Sequence, residues 1–240
     1  MSRLSDFIIE DGRLKRYVGE EAHAVIPEGV VAIEGFAFGG CRAVKSITIP
    51  TSVSEIGAYA VSDCCQLEKI EVVAGNKKYF SDGSCVIDGY RRAVVLGCCG
   101  SVIPNDGSVE IIAEFAFADC VALDRIVIPE PVRFIADYAF AGCYNLEDVV
   151  LPHSVTYLGR SSFEGCERLG SIAVPDAVSC ISDYVFKGCA SLVSVVASDE
   201  LISIGKGVFD GCHGELVVTA PELSCIADYA IKHGIKVKLI

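Results

Sequence analysis

Between Cys143 and Cys166 the chain reads Cys143-Tyr-Asn-Leu146-Glu-Asp-Val149-Val-Leu151-Pro152-His-Ser-Val155-Thr-Tyr-Leu158-Gly159-Arg-Ser-Ser-Phe163-Glu-Gly-Cys166. The stretch returns to cysteine after 23 residues, and the same step recurs on both sides of it. Cys41, Cys64, Cys120, Cys143, Cys166, Cys189 and Cys212 are separated by 23, 56, 23, 23, 23 and 23 residues, and the long gap is one period plus 33. Phe117, Phe140, Phe163, Phe186 and Phe209 keep the step, as do Ile112, Ile135, Leu158, Ile181 and Ile204. Prolines mark one point of successive units, at Pro27, Pro50, Pro104, Pro129, Pro152 and Pro175. A fixed period of roughly 20 to 50 residues is the sequence signature of a solenoid or array.

Within the unit the apolar spacing changes. Val149 and Leu151 alternate across an intervening residue as a strand requires, and Pro152 removes a main-chain donor and ends that strand. Val155 and Leu158 predict a second short extended stretch, and Gly159 a tight corner. The segment from Gly159 to Cys166 must bring the chain back, and its length suits one or two helical turns. One coil cannot bury its own apolar face, so each must cover the next. The expected core is therefore a set of ladders. One runs through Val44, Leu67, Leu123, Leu146, Leu169 and Leu192, a second through Ile47, Ile70, Ile126, Val149, Ile172 and Val195, and a third through the phenylalanines.

Composition narrows the partners. The 240 residues are 52% hydrophobic and carry a formal net charge of −12, which opposes phosphate backbones and anionic lipid surfaces. Neither nucleic acid nor membrane insertion is expected, since no stretch approaches the roughly 18 apolar residues of a membrane span. The first twelve residues contain Asp6 and no apolar core of a signal peptide, so the sequence as written reads as cytoplasmic.

Ile47-Thr-Ile-Pro50, Val53-Ser-Glu-Ile-Gly57, Ala139-Phe-Ala-Gly-Cys143 and Leu123-Asp-Arg-Ile126 resemble the BspA-like leucine-rich repeats of bacterial surface proteins. The opening segment Phe7–Tyr17 and the closing segment Ala227–Val237 are similar to the hairpin and the last turn and strand that bound such arrays. The resemblance implies a repeat solenoid, mostly β with short helical turns, wound as a right-handed superhelix with one parallel sheet. It implies one solenoid over 1–240, with a cap hairpin at 1–24, repeats at 25–72 and 103–220, a hairpin insertion at 73–102 and a C-terminal cap at 221–240. It also implies adhesion, host-protein or polysaccharide contact, and a cell-surface or secreted location if the chain is a processed or truncated form.

The insertion carries the turn pairs Asp82-Gly83 and Asp88-Gly89 around Cys85-Val86-Ile87, which predicts a small hairpin or meander. Thiols spaced by 23 residues fall in a line rather than converging as zinc ligands do, so they read as reduced core side chains. Only four histidines are present, His23, His153, His213 and His233, and no nucleophile-elbow, phosphate-loop, dinucleotide or zinc-protease motif occurs. No catalytic residue, cofactor or metal is expected.

Binding then falls to surfaces. The outward column between the two inward strand residues reads Thr48, Glu71, Val127, Val150, Ala173 and Val196, and is apolar over its last four members. With Asp124, Glu147 and Asp148 beside it, this stripe is the candidate contact site for a protein or peptide partner. Strand propensity alone also places valine there. A carbohydrate-binding surface is the alternative, although Tyr59, Tyr138, Tyr184 and Tyr229 share a turn position where packing explains them. A scaffold fragment of a larger surface protein is a third. Lys236 and Lys238 punctuate the last strand and discourage edge pairing, so a monomer or weak homodimer is expected.

Overall fold

The computed structural model describes residues 3–240; the first two residues of the cap expected over 1–24 lie outside the described residues. The sequence period becomes the pairing register. Arg125, Ile126 and Val127 pair with Asp148, Val149 and Val150, and Ser171, Ile172 and Ala173 with Ser194, Val195 and Val196, all in parallel. Every side chain thus meets its own counterpart one coil on, which keeps each apolar ladder on the core side.

The single parallel sheet expected is instead a pair of strand faces. The Val155-x-x-Leu158 stretches form strands of their own, such as Phe134–Ile135, Tyr157–Leu158 and Cys180–Ile181, which stack into a separate ladder. Pro152 ends the first strand of its coil, and the turn after it restores extended backbone, so each coil pairs twice. Residues of the insertion join the second face as the antiparallel strands Tyr79–Asp82, Cys85–Asp88 and Ala93–Leu96, the last of which pairs in parallel with Ile111–Ile112.

Ahead of the closing segment Cys225–Lys232, the return segments contain no helical turn. In the coil after Gly159, the N–H groups of Ser162, Glu164 and Cys166 bond back to the carbonyls of Gly159, Ser161 and Phe163 at 3.1, 3.1 and 3.2 Å. The alternate N–H groups of Ser161, Phe163 and Gly165 reach the next coil, to Asp183, Val185 and Lys187, at 3.0, 3.0 and 2.8 Å. Ser161 (φ 52°) and its counterparts Tyr138 (58°) and Tyr184 (60°) are left-handed, and a right-handed helix cannot pass through such a residue. The return is thus a third ladder, built of turns. Gly159 serves close approach rather than a special dihedral: a Cβ there would sit 2.5 Å from the carbonyl carbon of Ala136 in the preceding coil.

The core fills the space between these ladders. Phe117, Phe140, Phe163, Phe186 and Phe209 stack with centroids 5.0, 5.3, 5.8 and 6.0 Å apart, and the leucine and isoleucine ladders are buried throughout. The cysteines add a polar element that their spacing alone does not disclose. The thiols of Cys64, Cys143, Cys166, Cys189 and Cys212 donate to the main-chain carbonyls of Phe38, Phe117, Phe140, Phe163 and Phe186 at 3.1–3.3 Å. A small apolar side chain with one weak donor fits a core position that faces a carbonyl. All thirteen cysteines are unbonded to one another, and burial pushes the thiols of Cys64, Cys143 and Cys212 up to about 12.

The hairpin of Phe7–Glu10 with Arg13–Tyr17 covers the first coil. At the other end, Ser224 caps the α-helix Cys225–Lys232 by accepting from the N–H of Ala227 at 3.3 Å, and Lys236–Leu239 pairs with Val217–Ala220. No helix among the described residues is long and apolar enough to cross a membrane.

Candidate functional site

The first strand face is where the apolar column lies. Val127 is 71% exposed, Val150 66% and Val196 41%, while their neighbours Ile126, Val149 and Val195 are buried. Alternation along each strand forces this split, because successive side chains leave opposite faces of the ladder.

The face is not continuous. Arg125–Val127 pairs with Asp148–Val150, and Ser171–Ala173 pairs with Ser194–Val196, but the two pairs belong to different sheets. The flanking bonds also lapse there. Val193 N–H donates to Gly170 at 3.0 Å, Glu147 N–H to Asp124 at 2.8 Å and Val174 N–H to Val196 at 2.8 Å. Among the described residues the equivalent bonds from Gly170 to Glu147 and from Leu151 to Ala173 are not made. The coils stay joined elsewhere, through Leu158 to Ile181 and through Phe163 to Val185. The result is a seam in a face that the insertion also interrupts, between Lys69–Val72 and Arg125–Val127.

Gly170 stands beside the seam, where other coils carry Lys45, Glu68, Asp124, Glu147 and Val193. Glycine weakens a strand by offering backbone freedom and no side chain to pack. That residue is the sequence signal by which the seam could have been found.

Over the seam lies a depression of about 460 Å³, lined on its surface by Arg125, Val127, Asp148, Val150, Ser171 and Ala173. Four of the residues predicted as a contact site, Val127, Asp148, Val150 and Ala173, therefore share one hollow. Val196 stands apart, in a smaller hollow of about 270 Å³ with His153 and Ile240, which meets the first at Leu151 and Ala173. Asp124 and Glu147 immediately precede the two strands, and Glu147 is engaged by Arg168. Arg125 and Asp148 are 3.7 Å apart and more than two-thirds exposed, so water screens the pair and it contributes little to stability.

The tyrosines behave as packing residues. Tyr59 and Phe115 have centroids 4.8 Å apart and Phe115 and Tyr138 5.1 Å, along the return corner. Tyr184 is contacted at 5.3–5.5 Å by Lys187, Arg160 and Lys206. The Tyr229 hydroxyl accepts the N–H of Val208 at 3.2 Å.

Two-faced 23-residue coils with buried leucine, isoleucine and phenylalanine ladders define a leucine-rich-repeat solenoid. The BspA type leucine rich repeat region matches in six copies over residues 20–84 and 101–238, and the chain belongs to that family. Solved structures agree. A leucine rich cell surface protein from Faecalibacterium prausnitzii A2-165 is 26% identical with a TM-score of 0.68; the match covers 87% of this chain and 62% of that one. The chain thus spans less than two-thirds of that protein. A T. pallidum leucine rich repeat protein is 27% identical with a TM-score of 0.54, over 99% of this chain and 97% of that one. The pneumococcal vaccine antigen PcpA, 16% identical with a TM-score of 0.65 over 93% of this chain and 69% of its own, shares the fold. No curated protein matches the chain.

Proposed function

We propose that the chain is a non-catalytic protein-interaction module that takes an extended segment of a partner protein along the first strand face. The observation that carries this reading is the hollow at the seam. Apolar side chains line it, and the edges of Asp148–Val150 and Ser171–Ala173 that border it lack a ladder partner in each other. Main-chain groups at a strand edge supply affinity to an extended peptide, and pockets for alternate side chains supply selectivity.

The polar chemistry supports a binding role over a catalytic one. His213 accepts the N–H of Glu215 at 3.0 Å, His233 faces the carbonyl of Tyr229 and His23 faces Ser46, so three of the four imidazoles serve local contacts. Among the described residues no three His, Cys, Asp or Glu side chains converge as metal ligands would. Likeness to the F. prausnitzii cell surface protein supports work at the cell surface.

Selection of a displayed peptide library on the intact protein tests the reading. The native chain should enrich extended sequences with alternating apolar residues, and a Val127→Asp, Val150→Asp double variant should lose that enrichment while keeping its thermal midpoint. Equal enrichment on both proteins would overturn the assignment.

A further inference from the structure

The second strand face holds a separate concavity of different chemistry. Its N-terminal ladder ends at Glu55–Ile56, where the antiparallel strands of the insertion take the place of the next coil. The interruption opens a cleft of about 710 Å³, within the roughly 300–1,000 Å³ of small-ligand sites. Ile33 and Leu96 line it as buried apolar floor.

Most of the charge in its walls is already committed. Arg13 is paired with Glu34 and Glu55, and Lys78 Nζ donates to the carbonyl of Ser54 at 2.8 Å. Asp88, only 2% exposed, accepts the main-chain N–H groups of Tyr90 and Arg91 at 3.0 and 3.1 Å. That buried carboxylate fixes the turn that carries Tyr90 and Arg91, so both are placed before a ligand arrives.

Three groups in the cleft are left uncommitted. The Tyr90 side chain is 81% exposed, and among the described residues neither its hydroxyl, the Arg91 guanidinium nor the Glu114 carboxylate has a hydrogen-bond or ion-pair partner. An aromatic ring, a planar carboxylate and a planar guanidinium lining one cleft suit a sugar. The apolar C–H face of a pyranose lies on the ring, and adjacent hydroxyls bridge the paired oxygens or nitrogens of the planar groups. Carboxylates outnumber cationic groups in the lining by four to three, which opposes sulfated or uronic glycans and phosphorylated ligands.

We propose that this cleft binds a neutral oligosaccharide, with Tyr90 as the stacking platform and Arg91 and Glu114 as partners of its hydroxyls. The site is distinct from the seam, and its occupancy does not depend on a protein partner.

An array of neutral, sialylated and sulfated oligosaccharides, probed with the full chain, should retain neutral members alone. The strongest of these, titrated by calorimetry, should bind Tyr90→Ala and Glu114→Gln about tenfold or more weakly at an unchanged thermal midpoint, while Tyr90→Phe keeps most of the affinity. The proposal is overturned by an array with no neutral glycan retained, by preference for the charged glycans, or by undiminished affinity in Tyr90→Ala.

Discussion

A ladder cysteine such as Cys64, Cys143, Cys166, Cys189 or Cys212 answers two demands at once. It fills a small apolar site, and its thiol adds a second hydrogen bond to a carbonyl of the return turn inside the core, as Cys166 does for Phe140 at 3.3 Å beside the Cys143 N–H at 3.2 Å. Removing the donor takes one of two bonds to that oxygen, which still accepts the Cys143 N–H at 3.2 Å, at a cost of about 0.5–1.5 kcal/mol. Cys166→Ala should therefore lower the urea midpoint, and a Cys166→Ser variant, which keeps a donor, should recover part of the loss. Titration gives a second expectation. Burial raises these thiols, so the folded state holds protons that the unfolded chain releases near pH 9. The stabilisation is complete below that value and falls between pH 9 and about 12, by up to about 1.4 kcal/mol per pH unit for each thiol. Urea midpoints measured from pH 8 to 11 should drop, and Cys143→Ala should make the drop shallower. In native protein at pH 8, iodoacetamide should label the exposed Cys180 well before any ladder thiol.

The strand ladder is the element that matters for binding, and Gly170 is its weak point. Gly170→Val gives the position the residue that Val193 supplies one coil later. The substituted side chain meets open space, since a Cβ there has no atom within 4 Å. The variant should raise stability by a few tenths of a kcal/mol to about 1 kcal/mol and weaken peptide enrichment if it closes the seam; a gain in stability with enrichment unchanged would separate the two effects. At this scale the limits of sequence reading are also physical. The register and the inward ladders were legible because each rests on a residue type repeated at one spacing. The second strand face was legible only as an extended stretch, since Val155-x-x-Leu158 does not tell a paired strand from an unpaired one. The turns of the return segment were hidden behind Tyr138, Ser161 and Tyr184, residues that give no sign of a left-handed backbone. The seam depends on which bonds lapse between two coils, which no single coil records, and Tyr90 carries no sequence signal because one aromatic residue beside a turn has no periodic counterpart.

At the scale of the molecule, packing runs mainly between neighbouring coils, and stability is approximately a sum over coils and their interfaces. The buried apolar residues form one cluster from Phe7 to Cys98 and a larger one from Cys85 to Ala230, which overlap at the insertion. The continuous phenylalanine stack from Phe117 to Phe209 belongs to the larger cluster, whereas Val61 breaks the run after Phe38 in the smaller. Hydrogen exchange in rising urea should therefore release amides of residues 23–72 before those of residues 126–195. Simultaneous loss of protection across both would show that the insertion couples the clusters into one cooperative unit.

Pairing of each residue with its counterpart 23 positions on, seen where Ile172 meets Val195, also sets how such a gene can change length. Losing or gaining one codon inside a strand puts the side chains that follow it in that coil on the wrong face of their ladders, so selection removes it, whereas a turn takes up extra residues, as the two added between Pro104 and Val109 show. Duplicating the DNA of a whole coil leaves both new junctions identical to old ones. The antiparallel insertion absorbs the largest departure from the period, because its far edge at Tyr79–Asp82 has no coil register to keep. Lineages carrying this architecture should differ from one another by complete repeats and by the turns of that insertion.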